Sequence, residues 1–247
     1  MEVHAHAHNE AYGHRKRWTH YLWEFLMLFL AVFCGFLAEN KREHMVDNER
    51  ERKYMRSLAE DLATDTIELH KALLVADTVA RYCDTVLIYL NQNTIGSTIP
   101  SRFALAAGQA GRRQGLINTD RTSSQLKFSG AMRLIRHDDI SSLLTKYWNA
   151  IDETNITLDR YMLYRNASRD LAFKLWLTPI AYFDGVRKVD TIPQLRVLDQ
   201  DQAKWGEFRN LVGICGLISK PTHKKNLQKQ LEMARALILL INKHYNL

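Results

Sequence analysis

The chain has 247 residues, with 11 glycines and four prolines, although average usage predicts roughly 30 of the two together. Residues 36–95, 131–178 and 222–247 contain neither residue, which nearly excludes β-sandwiches and barrels because those folds need a turn about every 8–12 positions. The net charge of +7 is spread among interleaved acidic and basic residues without an aromatic–basic module, so we expect no nucleic-acid partner.

The three long runs predict an all-α protein. We expect an N-terminal transmembrane helix that continues into a long helix, packed in an antiparallel helical bundle. The predicted divisions are a His-rich polar tail at 1–17, a transmembrane helix at 18–40, a stalk helix at 41–92, a loop with a short helix at 93–121, and the rest of the bundle at 122–247 with an irregular part at 177–204.

The predicted membrane span reads YLWEFLMLFLAVFCGFLA over residues 21–38 and holds one charge, Glu24. A core helix is the first alternative, because about 18 apolar residues are needed to cross a bilayer and the uninterrupted run has 14. A cleaved signal sequence is the second alternative. Phe36 disfavours it, because a cut at Ala38 would require a small residue at position 36. Basic and aromatic side chains at the start of the span favour insertion into a lipid bilayer as interfacial anchors. These anchors are Arg15, Lys16, Arg17, Trp18, Tyr21 and Trp23.

The orientation of the span is open from the residues alone. Three Lys or Arg residues precede it and six follow within about 18 residues, and that count places the bundle in the cytoplasm. The first cluster, however, is uninterrupted by acids and lies on a short tail, which favours a cytoplasmic N-terminus instead.

One face of the span carries small residues at the spacing that lets two helix backbones approach closely in lipid. The face predicts self-association of the span, although small residues also recur in membrane helices by chance. Its members are Glu24, Met27, Ala31, Cys34, Gly35 and Ala38.

The stalk carries a heptad pattern of mostly apolar residues with Thr66 as its polar exception, which predicts a coiled-coil-like packing face. Its positions are Met55, Ala59, Leu62, Thr66, Leu69, Leu73, Ala76, Ala80, Cys83, Leu87 and Leu90.

Beyond the stalk, we expect a short helix near Arg102–Gln109 and a helical block from about Thr122. Gly130 allows a bend in that block, and Asp138 is the predicted N-cap of its long helix. A short extended piece is expected at Lys188–Leu198, and the last helix is entered through Pro221.

The strings HYLWEFLMLFLAVFCGFLAENKREH, YMRSLAEDLATD and SSQLKFSGAMRLIRHDDISSLLTKYW resemble a Bacteroidota family of single-span proteins of unknown function. They cover the anchor, the first stalk and the middle helical hairpin. The resemblance implies an inner-membrane location with the tail in the cytoplasm and the helical domain in the periplasm. It implies no activity.

Candidate metal ligands have simpler explanations. His4, His6 and His8 alternate and are a weak zinc or nickel candidate, but a polar tail is the preferred interpretation. Carboxylates near histidines suggest metal binding in two more places, and we interpret both as solvated helix faces and caps. The two groups are Glu60, Asp61 and Asp65 near His70, and His137 with Asp138 and Asp139. We therefore expect no metal and no cofactor.

Two cysteines, Cys83 and Cys215, are a candidate disulfide in a periplasmic domain, with buried free thiols as the alternative.

No catalytic motif occurs in the sequence, and we expect a non-enzymatic membrane protein whose bundle mediates assembly, as a homo-oligomer or with a membrane-protein partner. Two alternatives stay open. One is a subunit of an oligomeric pore or transport component, with Glu24 at its mouth. The other is a periplasmic sensor domain that signals through a partner.

Overall fold

The structure is a computed structural model, and it describes residues 14–177 and 194–246, with side chains from residue 18. The predicted all-α class is confirmed, since helices dominate the described residues and one two-stranded sheet accompanies them. The elements in chain order are α1 (His14–Gln92), β1 (Thr98–Pro100), α2 (Ser101–Ala110), α3 (Arg121–Phe128), a 3-10 turn (Ala131–Leu134), α4 (Asp138–Leu175), β2 (Gln194–Arg196), α5 (Gln202–Leu217), a π-helical turn (Ile218–His223) and α6 (Lys224–Tyr245).

The chain divides into two compact units, residues 1–53 and 54–247. In the first unit, α1 contains a candidate membrane span: an 18-residue window near the N-terminus has a mean hydropathy of 2.0, and none of it is buried. Large apolar side chains such as Phe25 and Leu28 are about two-thirds exposed. Water would solvate such a continuous apolar surface poorly, so its composition suits a lipid environment.

The second unit is a helical bundle whose core consists of three clusters. The first joins Met55, Leu58 and Leu62 of α1 to residues of α3, α4 and α6. The second joins Leu69, Ala72 and Ala76 of α1 to α6. The third joins Val79, Cys83 and Val86 of α1 to residues of α2, α4 and α5, including Phe103, Tyr161, Trp205 and Phe208.

The heptad predicted for the stalk is half right. Every second predicted position is buried: Met55, Leu62, Leu69, Ala76 and Cys83. The other buried positions of the heptad lie one residue before those predicted: Leu58, Asp65, Ala72, Val79 and Val86. Of the predicted positions in this second set, Ala80 is buried as well. The apolar pattern favoured the wrong set because the true set contains Asp65, and a carboxylate is normally excluded from a core unless it is hydrogen-bonded.

Helix α5 is absent from the sequence-based prediction, which ended an irregular segment at residue 204 and named no helix directly after it. Asp201 begins α5 as an N-cap whose side chain accepts from the backbone N–H of Ala203 at 2.9 Å. Trp205, Phe208, Val212 and Cys215 are buried along one face of the helix. Their spacing of three and four residues is the pattern that would have identified it.

The short helix and the extended piece predicted after the stalk are present, but one predicted N-cap is wrong. Helix α2 confirms the short helix, and β2, paired antiparallel with β1, falls in the expected extended piece, whose residues 188–193 lie outside the described ranges. The predicted N-cap at Asp138 is wrong, because α4 already begins at Asp138 and His137 is the residue before it. An acidic residue in the first turn still interacts favourably with the helix dipole.

Two carboxylates of α1 fasten the segment that connects α2 to α3. Asp65 accepts hydrogen bonds from the backbone N–H of Thr119 at 2.6 Å and from the Tyr147 hydroxyl at 2.7 Å. Asp61 accepts from the backbone N–H of Thr122 at 3.0 Å and from the Arg121 guanidinium at 2.8 Å. Both carboxylates are buried, so their interpretation as solvated residues is wrong.

Removal of the Asp65 charge tests this fastening. Asp65→Asn should lower the free energy of unfolding by about 2 kcal/mol, because a buried donor loses a charged acceptor. The full chain in detergent is unfolded with urea and followed by circular dichroism. The exposed Asp152 of α4 provides the matched control Asp152→Asn, which should stay within about 0.5 kcal/mol of wild type. Equal losses in the two variants would contradict the role of Asp65.

A buried histidine makes the stability of the bundle depend on pH. His223, at the end of the π-helical turn, is 2% exposed, and its Nδ1 has no hydrogen-bond partner. Burial lowers the pKa of His223 to about 4. In the unfolded chain the imidazole has a pKa of about 6.5, so the unfolded state binds the extra proton between these values. Stability from this group is complete above about pH 6.5 and is lost as the pH falls towards 4.

We expect wild type to lose up to about 1.4 kcal/mol of unfolding free energy per pH unit below about pH 6.5 through His223. His223→Gln should show a smaller slope in urea unfolding between pH 7 and 4.5, because it removes this titration. His44→Gln replaces an exposed histidine of α1 in the first unit and should retain the wild-type slope. An unchanged slope in His223→Gln would show that folding does not lower the pKa of His223.

Candidate ligand-binding pocket

The second unit contains a pocket between α2 and α4, with Phe208 of α5 at one side. Its volume is about 480 Å³, within the range of roughly 300–1,000 Å³ that small-molecule sites occupy. It is lined by Ala104, Leu105, Ala107, Gly108, Gln109, Gly111, Arg112, Arg165, Ser168, Arg169, Ala172, Phe173, Trp176 and Phe208.

Small residues of α2 and the residue that follows it form one wall. Ala104, Ala107 and Gly108 leave space above the helix, and Gly111 ends it. A Cβ atom added at Gly111 would lie 3.3 Å from Cγ of Arg169, so a larger residue there would push Arg169 away. Because Gly111 has no side chain, Arg169 can lie in its present position on the opposite wall.

Three arginines, Arg112, Arg165 and Arg169, line the pocket. The Arg165 guanidinium donates through Nε to the carbonyl oxygen of Gly111 at 2.8 Å and through Nη1 to Oδ1 of Asn166 at 2.8 Å. Burial, followed by the positive charge of Arg169, lowers the pKa of Arg165. Over residues 18–177 and 194–246, no carboxylate forms an ion pair with any of the three arginines.

Aromatic rings supply the apolar part of the same pocket. The Trp176 ring meets the Phe208 ring edge-on with centroids 5.3 Å apart and stacks on Trp205 at 5.7 Å. Phe173, one turn before Trp176, is partly exposed and also lines the pocket. The pocket thus combines guanidinium groups, which bind carboxylates and phosphates, with aromatic surface that binds a flat apolar body.

The pocket residues on α4 follow a spacing that the sequence already contains. Arg165, Arg169 and Phe173 follow one another at intervals of four residues, which places them on one face of α4, and Trp176 directly follows the end of the helix. A search for apolar faces alone overlooks this set because half of it is charged. A stripe with arginines at one end and aromatic rings at the other is the pattern that would have found it.

The residues predicted to mediate self-association of the span are all exposed in the described structure: Glu24, Met27, Ala31, Cys34, Gly35 and Ala38. No atom lies within 4 Å of a Cβ built on Gly35. Phe25, Phe29 and Phe33 stack along the helix with ring centroids 6.3 and 5.9 Å apart. At about 100° per residue they lie roughly opposite the small-residue face. Self-association stays a prediction.

Of the predicted interfacial anchors, Trp18, Tyr21 and Trp23 are exposed near the start of α1. Arg15, Lys16 and Arg17 belong to α1, but their side chains lie outside the described ones. The weak metal candidates His4, His6 and His8 also lie outside the described residues.

The two cysteines predicted as a candidate pair, Cys83 and Cys215, belong to the same buried cluster and are free thiols in the structure. Burial raises the pKa of each thiol to about 12, so neither is a reactive thiolate at neutral pH. Cys34 of the span is also free, and it is exposed.

Comparison with known proteins assigns no relative: no family model, no curated protein and no solved structure matches the chain.

Proposed function

We propose that the protein is a membrane-anchored binding module whose helical bundle takes up a small anionic ligand with an apolar body, as a sensor domain does. The observation that carries the proposal is the pocket in which Arg112, Arg165 and Arg169 lie beside Phe173 and Trp176 without an ion-paired carboxylate among the described residues. A carboxylate, sulfonate or phosphate group would bind the guanidinium groups, and the rest of the ligand would cover the rings.

The electrostatics of the pocket support an anionic ligand over a neutral one. Neighbouring like charges raise each other's free energy, and Arg165 is already partly withdrawn from water. An anion would relieve this repulsion and form charge-assisted hydrogen bonds, which are roughly twice as strong as neutral ones. Arg165 also holds the Gly111 carbonyl, so its guanidinium is fixed before the ligand arrives.

The candidate span supports a membrane location for the module. We place it in the inner membrane with the bundle in the periplasm, following the resemblance described above and the uninterrupted basic cluster before the span. The opposite arrangement of small residues and phenylalanines on the span supports contact of the small-residue face with a second copy or a membrane-protein partner.

The proposal is tested with 2-naphthoate, an anion with a flat apolar body, and its neutral analogue 2-naphthamide. Isothermal titration calorimetry uses the full chain in lipid nanodiscs, with empty nanodiscs as the blank. Saturable binding of 2-naphthoate is expected, and binding of 2-naphthamide at least about tenfold weaker, which is the loss of one charge-assisted interaction.

Arg169→Gln should weaken 2-naphthoate binding at least about tenfold, because it removes a pocket guanidinium that forms no hydrogen bond with any other residue that the structure describes. Arg160→Gln is the matched control, since Arg160 is an exposed arginine of α4 outside the pocket. Circular dichroism checks that both variants are folded. Absence of saturable binding, equal affinity for the two compounds, or wild-type affinity in Arg169→Gln would each overturn the proposal.

A further inference from the structure

Two histidines that are 107 positions apart in the chain and an aspartate meet beside the start of α4. His137 immediately precedes α4, Asp139 lies in its first turn, and His244 lies in the last turn of α6. Nε2 of His244 is 2.9 Å from Oδ2 of Asp139, and the His137 and His244 rings stack with centroids 4.0 Å apart. One ligand atom from each of the three residues lies within 4.8 Å of the other two.

We propose that His137, Asp139 and His244 form a binding site for a divalent transition-metal ion, with Zn²⁺ as the preferred ion. Two imidazole nitrogens and one carboxylate oxygen are ligands that zinc takes in proteins. Three protein ligands leave one tetrahedral position for water or for a group from outside the protein. The site is independent of the pocket, since none of its three residues lines that pocket.

The distances suit zinc after small side-chain movements. Zinc–ligand bonds of about 2.0–2.2 Å at tetrahedral angles place neighbouring ligand atoms about 3.3–3.6 Å apart. The observed separations, from 2.9 Å to at most 4.8 Å, bracket this value. The His244 side chain is 24% exposed and that of Asp139 47%, so an ion can enter from solvent.

Neighbouring groups orient the ligands as a second shell does in known metal sites. The backbone N–H of Ile140 donates to Oδ1 of Asp139 at 2.9 Å, which leaves Oδ2 directed at His244. The Tyr245 ring packs edge-on against His137 with centroids 5.3 Å apart. The hydrogen bond between Asp139 and His244 would be exchanged for two bonds to the metal. A bound ion would thus tie the C-terminal turn of α6 to the start of α4.

The alternative interpretation is a surface ion pair between His244 and Asp139 with no metal. Exposed pairs of that kind contribute little to stability, and a pair alone requires no third ligand. His137 is the residue that separates the two interpretations, because it adds a nitrogen to the cluster and its ring forms no hydrogen bond with another described residue.

The test uses the full chain with His4, His6 and His8 replaced by alanine, which removes the competing histidines of the tail. Zn²⁺ is titrated in metal-free buffer against a chromophoric chelator. We expect one ion per chain at this site, and an affinity at least about tenfold weaker in His137→Ala, Asp139→Asn and His244→Ala, the usual scale for loss of a metal-site residue. His70→Ala, which removes an exposed histidine bonded to Arg235 at 2.7 Å, is the control and should bind as the parent does.

Thermal unfolding gives a second readout of the same site. Zn²⁺ should raise the melting temperature of the parent, since an ion that binds only the folded state stabilises it by mass action, and should leave that of His244→Gln unchanged. Glutamine retains a donor for Asp139, which guards against a variant that simply fails to fold. Parent-like affinity in His137→Ala or His244→Gln, or a zinc-dependent shift that survives both substitutions, would overturn the proposal. Neither result would bear on the anionic ligand of the pocket.

Discussion

The arrangement of the bundle depends on the hydrogen bonds that the backbone between α2 and α3 forms with the neighbouring helices. This segment, residues 111–120, lacks regular secondary structure, so its buried N–H and C=O groups need partners from elsewhere. Asp65 of α1 accepts from Thr119 near the far end of this segment, and Asp61 accepts from Thr122 in the first turn of α3, directly after it. These carboxylates lie in the packing face of α1. Burying them would cost free energy without hydrogen-bond donors, and these backbone N–H groups supply the donors.

The near end of the segment is held from α4, and this second attachment creates the pocket. The Tyr161 hydroxyl donates to the carbonyl oxygen of Arg112 at 2.7 Å, and Arg165 donates to that of Gly111 at 2.8 Å. Both contacts hold the end of α2 against α4, and the small side chains of α2 leave the neighbouring space between the two helices unfilled. The Arg165 guanidinium that holds the backbone is therefore also one of the three that line the pocket.

The sequence predicted helices better than it predicted their contacts. Missing glycine and proline, together with apolar spacing, were enough to place α1, α2 and most of α4 and α6, because these are local properties. The register of the packing face of α1 depends on the hydrogen bond between Thr119 and Asp65. These residues are 54 positions apart, so no local sequence pattern contains the contact. The cluster at His137 likewise depends on His244, 107 positions later, so neighbouring residues suggested only a helix start.

The most direct test of this account is hydrogen exchange of the Thr119 and Thr122 amides in the full chain, measured by NMR in detergent. If Asp65 and Asp61 hold the segment, both amides should exchange only with global unfolding of the bundle, as slowly as amides in the middle of α4. Exchange at the rate of an exposed loop would show that the segment opens independently, and would contradict the claim that these two carboxylates organise the fold.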